Sequence, residues 1–545
     1  MKRRFVLIGL GIGLSLVLVV AAKAPIPVPR PVQKSLRPVA SAVTDAQSGD
    51  AIHARLGPTG RSGWLVVDLD TGEVLEHSGD DQGFAPASVA KIATTLYALD
   101  RLGPDHRFET RVIATGEQSG ETLKGDLILE GGGDPELDTD ALLPLVMETG
   151  KSGFRYVSGR FLVDGSLGPV RSAIDDDQPP EAAYNPAVSG LNLNFNRVRM
   201  KWTAKGTDRE IRVSAKARRL DPDAERVRVV IADDAPAMVF RHHLEGEHEV
   251  WRVARTSLRR PGARWLPVRL PELYAGDIFR GLAKTYGVEL RAPELADWKN
   301  SQPAAPRRVI ARHDSRPLAL ILRDMLRWST NLTAEIVGAA AGAGADHAVA
   351  FSQRLASNVT ASSDAARVPA AVPAPAPRRP QTLAESAARM NLWAAGFAGF
   401  PEGDPEFRMV NHSGLATASR VSPRRMVALL QAAARLEPLP GHVHKRLPGQ
   451  LAGLIKDYNI AARSVPLDYK NIAVAAKTGT MDFVRGLAGY VATPNGRRLA
   501  FAIFSNDLAR RNEASRRTKR HWIARARVFE RALLREWVRR FGVAG

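Results

Sequence analysis

Hydrophobic positions along the chain predict a strand-rich middle flanked by segments that mix strands and helices. Runs rich in β-branched and aromatic residues predict strands at 64–69, 472–480, 486–493 and 498–506. Pro494-Asn495-Gly496, between the last two runs, is typical of a hairpin turn. The first and last parts of the chain therefore each supply strands to a predicted sheet.

Helical spacing of apolar residues appears on both flanks. In the first helix Val89, Ile92, Leu96 and Leu99 recur on one face, and Pro86 stands where the helix would begin. The same spacing predicts further helices at 317–327, from 331 onward, at 382–397, and in a basic amphipathic segment at 519–541.

The middle of the chain contains short strand candidates separated by Gly- and Pro-rich turns. They lie at 111–115, 125–130, 160–164 and 226–232. We therefore predict a large, mainly β inserted region over 111–307, which divides a catalytic domain into parts at 49–110 and 308–545.

The N-terminus has the order of an export signal. Lys2, Arg3 and Arg4 precede an uncharged apolar run over 5–22. This run is long for a cleaved signal and near the minimum for a spanning helix. Residues 1–24 are therefore expected to be a signal peptide or an N-terminal membrane anchor, and export to the periplasm is predicted.

Two further segments are biased in composition. Residues 25–48 are Pro-rich and are expected to form an extended linker. Residues 342–380 are rich in Ala, Ser and Pro and are expected to form a flexible surface loop.

Bulk composition adds limits to this outline. With 545 residues, 44% hydrophobic and 25% charged, two or more globular domains are expected. The absence of cysteine excludes thiol catalysis, disulfides and cysteine metal sites. The net charge of +20 is compatible with basic residues spread over solvated faces, and as a hypothesis it also suits loose retention near anionic lipid or wall polymer. No nucleic-acid-binding motif accompanies the charge.

Three short motifs carry the candidate chemistry: Ser88-Val-Ala-Lys91, Ser329-Thr-Asn331 and Lys477-Thr-Gly479. Ser88 falls in the first turn of a predicted helix, and a lysine at i+3 lies on the same face. Such a lysine, when buried near another cation, can lose its proton and act as a base. Each motif alone is weak, but their order and contexts together indicate a serine acyltransferase site.

With these motifs the chain resembles the DacB-type, class C penicillin-binding proteins, the D-alanyl-D-alanine carboxypeptidase/endopeptidases of peptidase family S13. Matching segments also occur at 125–135, 184–196, 413–415 and 486–490. The resemblance implies an α/β (α+β) penicillin-binding/β-lactamase-like serine transpeptidase fold with its inserted region. It also implies peptidoglycan peptides and β-lactams as ligands, with no metal or other cofactor.

The resemblance assigns roles to the first two motifs. It implies that Ser88 is the acylated nucleophile and that Lys91 is its general base. Ser329 would relay a proton toward the leaving amine, and Asn331 would hydrogen-bond the substrate's peptide bond.

The third motif is implied to bind the end of the substrate. Lys477 would supply positive potential, and the hydroxyl groups of Thr478 and Thr480 would meet the terminal carboxylate on either side of Gly479. Backbone N–H groups of Ser88 and Thr480 would form the oxyanion hole.

Departures from the family pattern concern recognition of the stem peptide. Thr417 stands where some relatives have an arginine that grips the peptide's side-chain carboxylate, and Arg420 is a nearby substitute. Asn194 stands where some relatives have an aspartate that binds the far end of that side chain. Weaker or different stem-peptide recognition is therefore expected.

Alternative functions remain open at this point. A serine β-lactamase would use the same motifs, although no Glu-x-x-Leu-Asn-like run follows the second one. A non-catalytic wall-binding scaffold could retain the fold. A metalloenzyme has weaker support, because the histidines lack an established ligand spacing; they are His242, His243, His248, His442 and His444.

Overall fold

The computed structural model describes residues 48–203, 209–233, 240–297, 307–343, 382–458, 472–512 and 515–542. The predicted signal or anchor and almost all of the Pro-rich linker lie outside these residues. So does the predicted loop at 342–380, except for residues 342 and 343, which are still helical.

Helices occur on both flanks and in the inserted region. They are α1 Gly49–Leu56, α2 Lys91–Leu102, α3 Thr139–Lys151, α4 Pro271–Thr285, α5 Leu318–Trp328, α6 residues 331–343, α7 Leu383–Ala398, α8 Pro423–Ala434, α9 Gly449–Ala452 and α10 Arg516–Phe541.

The strands follow the same division. They are β1 Arg61–Asp68, β2 Val74–Ser78, β3 Glu109–Thr115, β4 Glu117–Ser119, β5 Thr122–Lys124, β6 Leu127–Gly131, β7 Tyr156–Val157, β8 Phe161–Asp164, β9 Arg197–Trp202, β10 Ile211–Ser214, β11 Val227–Ala232, β12 Phe240–Glu245, β13 His248–Ala254, β14 Gly262–Pro267, β15 Pro293–Leu295, β16 Arg307–Asp314, β17 Phe407–Arg408, β18 Arg420–Val421, β19 Ala473–Met481, β20 Val484–Ala492 and β21 Arg498–Asn506.

A five-stranded sheet in the order β19-β20-β21-β1-β2 joins the two flanks of the chain. β1 pairs antiparallel with β21, from Arg61 opposite Asn506 to Asp68 opposite Leu499. Because side chains alternate along a strand, the sheet has two apolar faces. One face packs against helices that include α2, α5, α7 and α8, and the other packs against α1 and α10.

The inserted region has its own core around a sheet in the order β15-β8-β6-β3-β16. β3 and β16 pair in this sheet, so it includes residues on both sides of the boundaries predicted at 110/111 and 307/308. Smaller sheets, β10-β9-β14 and β11-β13-β12, extend the region. α3 and α4 pack in the same core, so the region is mainly β but also contains two helices that the sequence pattern did not predict.

Candidate active site

Ser88 lies in a tight helical turn, Ala87–Ala90, that leads into α2. Ala87 has a φ of 47°, which is uncommon for a residue with a side chain and marks local strain. Gly414 and Gly479 pack against this turn. A Cβ atom on Gly414 would lie 2.0 Å from the carbonyl oxygen of Ala87, and one on Gly479 would lie 2.5 Å from that of Pro86. The two glycines thus let two separate segments close around the serine.

Lys91 is fully buried beneath the serine. Its Nζ lies 3.0 Å from Ser88 Oγ, 2.8 Å from Asn331 Oδ1 and 2.8 Å from the carbonyl oxygen of Ser413. Burial, and then the positive charge of Lys477, holds the pKa of Lys91 well below its ordinary value. A neutral amine has two N–H groups and one lone pair. The two carbonyl oxygens can take the N–H groups, which leaves the lone pair for the Ser88 proton.

Ser329 and Asn331 lie at the junction of α5 and α6. Ser329 ends α5 with a φ of 60°, and its N–H donates to the carbonyl oxygen of Met325 at 2.8 Å. This reversal lets α6 begin at Asn331, whose Nδ2 donates to the carbonyl oxygen of Tyr184 at 2.9 Å. The Asn331 carboxamide therefore joins the lysine to the 184–196 segment instead of capping α6.

Lys477 is on β19, which forms one edge of the five-stranded sheet. Its Nζ donates to Ser329 Oγ at 3.1 Å and to the carbonyl oxygen of Thr478 at 2.9 Å. Burial, and then the charge of Arg485, lowers the pKa of Lys477 to about 7. Thr478 is half-buried and Thr480 is exposed, so both can face a ligand at this edge.

The predicted catalytic residues form two hydrogen-bonded groups. Lys91 joins Ser88 to Asn331 in one group, and Lys477 donates to Ser329 in the other.

Two buried side chains next to these catalytic residues were not predicted from the sequence. Glu335, one turn after Asn331 on α6, accepts the backbone N–H groups of His412 and Ser413 at 3.0 and 2.9 Å. It thereby fixes the segment whose carbonyl oxygen meets Lys91. Arg485 on β20 donates from Nη1 to Thr480 Oγ1 at 2.5 Å. The glutamate at i+4 from Asn331 was a visible signal, but its partners lie more than seventy residues further along the chain.

The residues expected to bind the stem peptide make contacts of different kinds. Asn194 is buried, and its carboxamide bonds to Thr139 and Tyr274 in the inserted region. Arg420 donates to the carbonyl oxygens of Thr417 and Ser419 at 2.5 and 2.8 Å. A substrate-binding role for Asn194, Thr417 and Arg420 stays a prediction. For Asn194 these contacts favour a role in holding the inserted region together.

The histidines considered for metal binding have partners of other kinds. His242 lies 3.2 Å from Glu249, and His444 lies 3.4 Å from Asp457. Within the described part of the chain, no group of three or more His, Asp or Glu side chains is arranged to hold a metal ion.

Comparison with known proteins identifies a family and relatives that this chain resembles. The sequence matches the D-Ala-D-Ala carboxypeptidase 3 (S13) family over residues 51–363 and 404–527. It is 26% identical over 482 residues to a D-alanyl-D-alanine carboxypeptidase of Actinomadura sp. (strain R39), covering 82% of this chain and 77% of that protein. It is 24% identical over 488 residues to the D-alanyl-D-alanine carboxypeptidase DacB of Haemophilus influenzae, covering 87% of this chain and 90% of that protein.

A solved structure shares the fold. Penicillin-binding protein 4 (dacB) of Haemophilus influenzae matches with a TM-score of 0.65 at 21% identity, covering 90% of this chain and 99% of that one. This likeness confirms the predicted α/β penicillin-binding fold with extra domains.

Proposed function

The chain belongs to the D-Ala-D-Ala carboxypeptidase 3 (S13) family, and from this membership we propose that it cleaves D-alanyl peptides of peptidoglycan through an acyl-enzyme on Ser88. The chain is accordingly a serine-type D-Ala-D-Ala carboxypeptidase/endopeptidase. One observation carries the assignment of the nucleophile: the buried Lys91 amine lies 3.0 Å from Ser88 Oγ, and two carbonyl oxygens occupy its other positions.

Acylation begins when Lys91 takes the Ser88 proton and the serine oxygen attacks the carbonyl carbon between the two D-residues. The new oxyanion accepts the backbone N–H groups of Ser88 and Thr480, which need no reorientation at that moment. Collapse of the tetrahedral intermediate expels the C-terminal residue. Its amine takes the proton that Lys91 accepted from Ser88, relayed by the hydroxyl of Ser329, which already contacts Lys477. Water then hydrolyses the ester and frees Ser88.

The rest of the third motif binds the leaving residue. Lys477, on the edge strand itself, provides a positive charge when protonated, and the hydroxyl groups of Thr478 and Thr480 donate to the α-carboxylate. Gly479 leaves room for the strand to approach the serine turn. Because both a terminal D-alanine and the D-centre of a cross-link carry such a carboxylate, this arrangement suits trimming and cross-link cutting alike.

A test uses purified cross-linked muropeptides and mass spectrometry of the products. The wild type should release D-alanine or convert dimers to monomers, and Ser88→Ala should do neither. Ser78→Ala, on β2, is the matched control and should behave as wild type. Equal products from wild type and Ser88→Ala would leave a non-catalytic wall-binding scaffold as the better explanation.

A β-lactamase is distinguished by the fate of a penicillin adduct. Both oxygens of Glu335 accept backbone N–H groups, so this buried carboxylate is not poised to activate a water for fast deacylation. We expect one penicillin per chain, bound for many minutes and absent from Ser88→Ala. Rapid, repeated turnover of nitrocefin would instead support a β-lactamase.

We also propose that the protein acts outside the cytoplasmic membrane, in the periplasm, after export by its N-terminal segment. The support is the basic-then-apolar order of residues 2–22 together with a cell-wall substrate. In the described part of the chain, no helix has both the length and the apolar character needed to cross a membrane. Fractionation with N-terminal sequencing of the mature protein would separate a cleaved signal from an anchor.

A further inference from the structure

A buried ion pair lies directly behind the third motif. Arg485 on β20 and Glu530 on α10 are 3% and 1% exposed, and Arg485 Nε donates to both Glu530 oxygens at 2.9 Å. The neighbouring side chains on this face of the sheet, Leu487 and Phe529 among them, are apolar core.

Such a pair contributes little stability by itself. Removing two charges from water costs about as much as their attraction returns, and apolar replacements of similar volume are often neutral or stabilising. An ion pair in which one arginine N–H group is shared by both carboxylate oxygens, set in an apolar layer, is therefore better explained by what the arginine does with its remaining N–H groups.

The remaining N–H groups of Arg485 face the edge strand β19, where the substrate is proposed to bind. Arg485 Nη1 donates to Thr480 Oγ1 at 2.5 Å and lies 3.4 Å from the carbonyl oxygen of Gly479. Thr480 and Arg485 are directly opposite each other in the β19–β20 ladder, so their side chains share one face. Glu530 fixes the guanidinium from the other side.

A hydroxyl group has one proton and two lone pairs. Because Arg485 already donates to the Thr480 oxygen, the hydroxyl's own proton must go to a different acceptor. Thr480 is exposed at the edge where the leaving residue is proposed to bind, so in the complex its hydroxyl can donate to a ligand oxygen. A carboxylate accepts such a hydrogen bond more strongly than a neutral amide does.

We infer that Arg485, held by Glu530, is a positioning residue that commits the Thr480 hydroxyl to donation and so selects substrates whose leaving residue carries a free α-carboxylate. This inference rests on the proposed function. What it adds is that Arg485 and Glu530 strengthen the preference for a leaving residue with a free α-carboxylate over the same peptide with an amidated C-terminus.

The test compares a peptide ending in D-Ala-D-Ala with its C-terminal amide. The measured quantity is the ratio of kcat/KM for the acid to kcat/KM for the amide. The variant is Arg485→Met with Glu530→Met, which removes both charges and leaves no buried charge unpaired. We expect the ratio to fall about tenfold, chiefly through a higher KM for the acid. A folded double variant with the wild-type ratio would overturn the inference.

Two further variants keep the test decisive. Arg226→Met with Asp277→Met removes another Arg–carboxylate pair, in the inserted region, and should leave the ratio unchanged. Thr480→Val should lower the ratio by itself, and adding the Arg485/Glu530 change should then lower it little further, because the arginine acts through that hydroxyl. If the Thr480 change and the Arg485/Glu530 change instead lower the ratio by independent factors that multiply, the inference is overturned.

If the double variant does not fold, Arg485→Lys takes its place, since it keeps a charge for Glu530 but lacks the planar fork that also reaches Thr480. A wild type that releases no D-alanine from the acid peptide would refute the proposed function itself, whereas an active wild type with an unaltered variant refutes only the role of Arg485.

Discussion

Glu335 is connected to the lysine base, Lys91, by hydrogen bonds through the backbone of another segment. Its oxygens hold the N–H groups of His412 and Ser413, and the Ser413 carbonyl oxygen accepts from Lys91. Burial raises the pKa of Glu335, while the donors from Ser413 and His412 favour its ionised form. Its negative charge also raises the pKa of Lys91, against the larger lowering by burial.

Removing that charge should move the pH profile of acylation. In Glu335→Gln the pKa of Lys91 falls further, so the neutral base persists to lower pH. We expect the acid limb of the rate of acylation by a fluorescent penicillin to shift to lower pH. Measurement of that rate between about pH 4 and about pH 9 checks this, because the pKa of Lys91 is held well below the ordinary lysine value of about 10.4.

A matched control separates charge from loop positioning. Asn391 makes two hydrogen bonds to the backbone of Met409, which precedes the same segment, but it brings no charge. Asn391→Ala should slow acylation evenly across pH or leave it unchanged. If Glu335→Gln keeps the wild-type midpoint, the charge of Glu335 plays no part in setting the base.

Residues that belong to a local pattern or to a known motif were predictable, and residues that depend on distant partners outside any motif were not. Ser88 and Lys91 are one helical turn apart, so their meeting follows from spacing alone. Arg485 gains its role from Glu530, 45 residues later on another element, and no local pattern encodes that contact.

Helix α6 packs closely against a neighbouring segment at Gly338, which has no side chain. A Cβ atom on Gly338 would lie 2.1 Å from the ring of His412, and the Ser386 hydroxyl donates to the Gly338 carbonyl oxygen at 3.1 Å. The buried His412 ring in turn contacts Ser386 at 2.8 Å through Nε2. α6 thus packs closely on the segment that contains Ser413, and it carries Asn331 and Glu335 with it.

Gly338→Ala should therefore destabilise the protein, although alanine normally favours a helix. We expect a loss of about 2 kcal/mol in the free energy of unfolding from overpacking, and slower penicillin acylation as α6 shifts. Gly396→Ala in α7 is the control, because a Cβ atom there meets nothing within 4 Å. It should stabilise by about 1 kcal/mol. If the thermal unfolding midpoints of Gly338→Ala and Gly396→Ala move in the same direction, the packing argument is contradicted.

The helices α2, α5, α6, α7 and α10 and the strands β1, β19, β20 and β21 were predicted from periodicity, while α1, α3, α4 and α8 were not. α3 contains Pro144 and α4 contains two glycines, which weaken the local helical signal. The two helices pack in one core with β8 and β6, so tertiary burial stabilises them more than propensity does. Sequence patterns of limited length do not capture that contribution.

For the whole molecule, the sequence predicts the excess of positive charge but not where it lies. The outer face of α10 collects part of it. Arg517, Arg520, Arg527 and Arg531 are exposed at helical spacing over about 21 Å. No ion pair to a carboxylate within 4.0 Å is found for these four arginines among the described residues. The apolar face of α10 is already covered by the sheet, so this helix can attract an anionic surface but has no free apolar side to insert.

This surface leads to a prediction about retention at anionic surfaces. Replacing these four arginines with Gln should weaken sedimentation with vesicles that contain phosphatidylglycerol at least about tenfold at low salt. The wild type should itself lose binding as salt rises, since screening acts over about 10 Å at 0.1 M ionic strength.

The control replaces four exposed arginines of the inserted region that have acidic partners, namely Arg155, Arg171, Arg212 and Arg255. The net charge falls by the same amount, but the α10 face stays intact, so binding should fall much less. Equal losses in the two variants would mean that total charge and not the helix face governs retention. Binding of the wild type that ignores salt would exclude an electrostatic mechanism altogether, because hydration and packing contacts are not screened in this way.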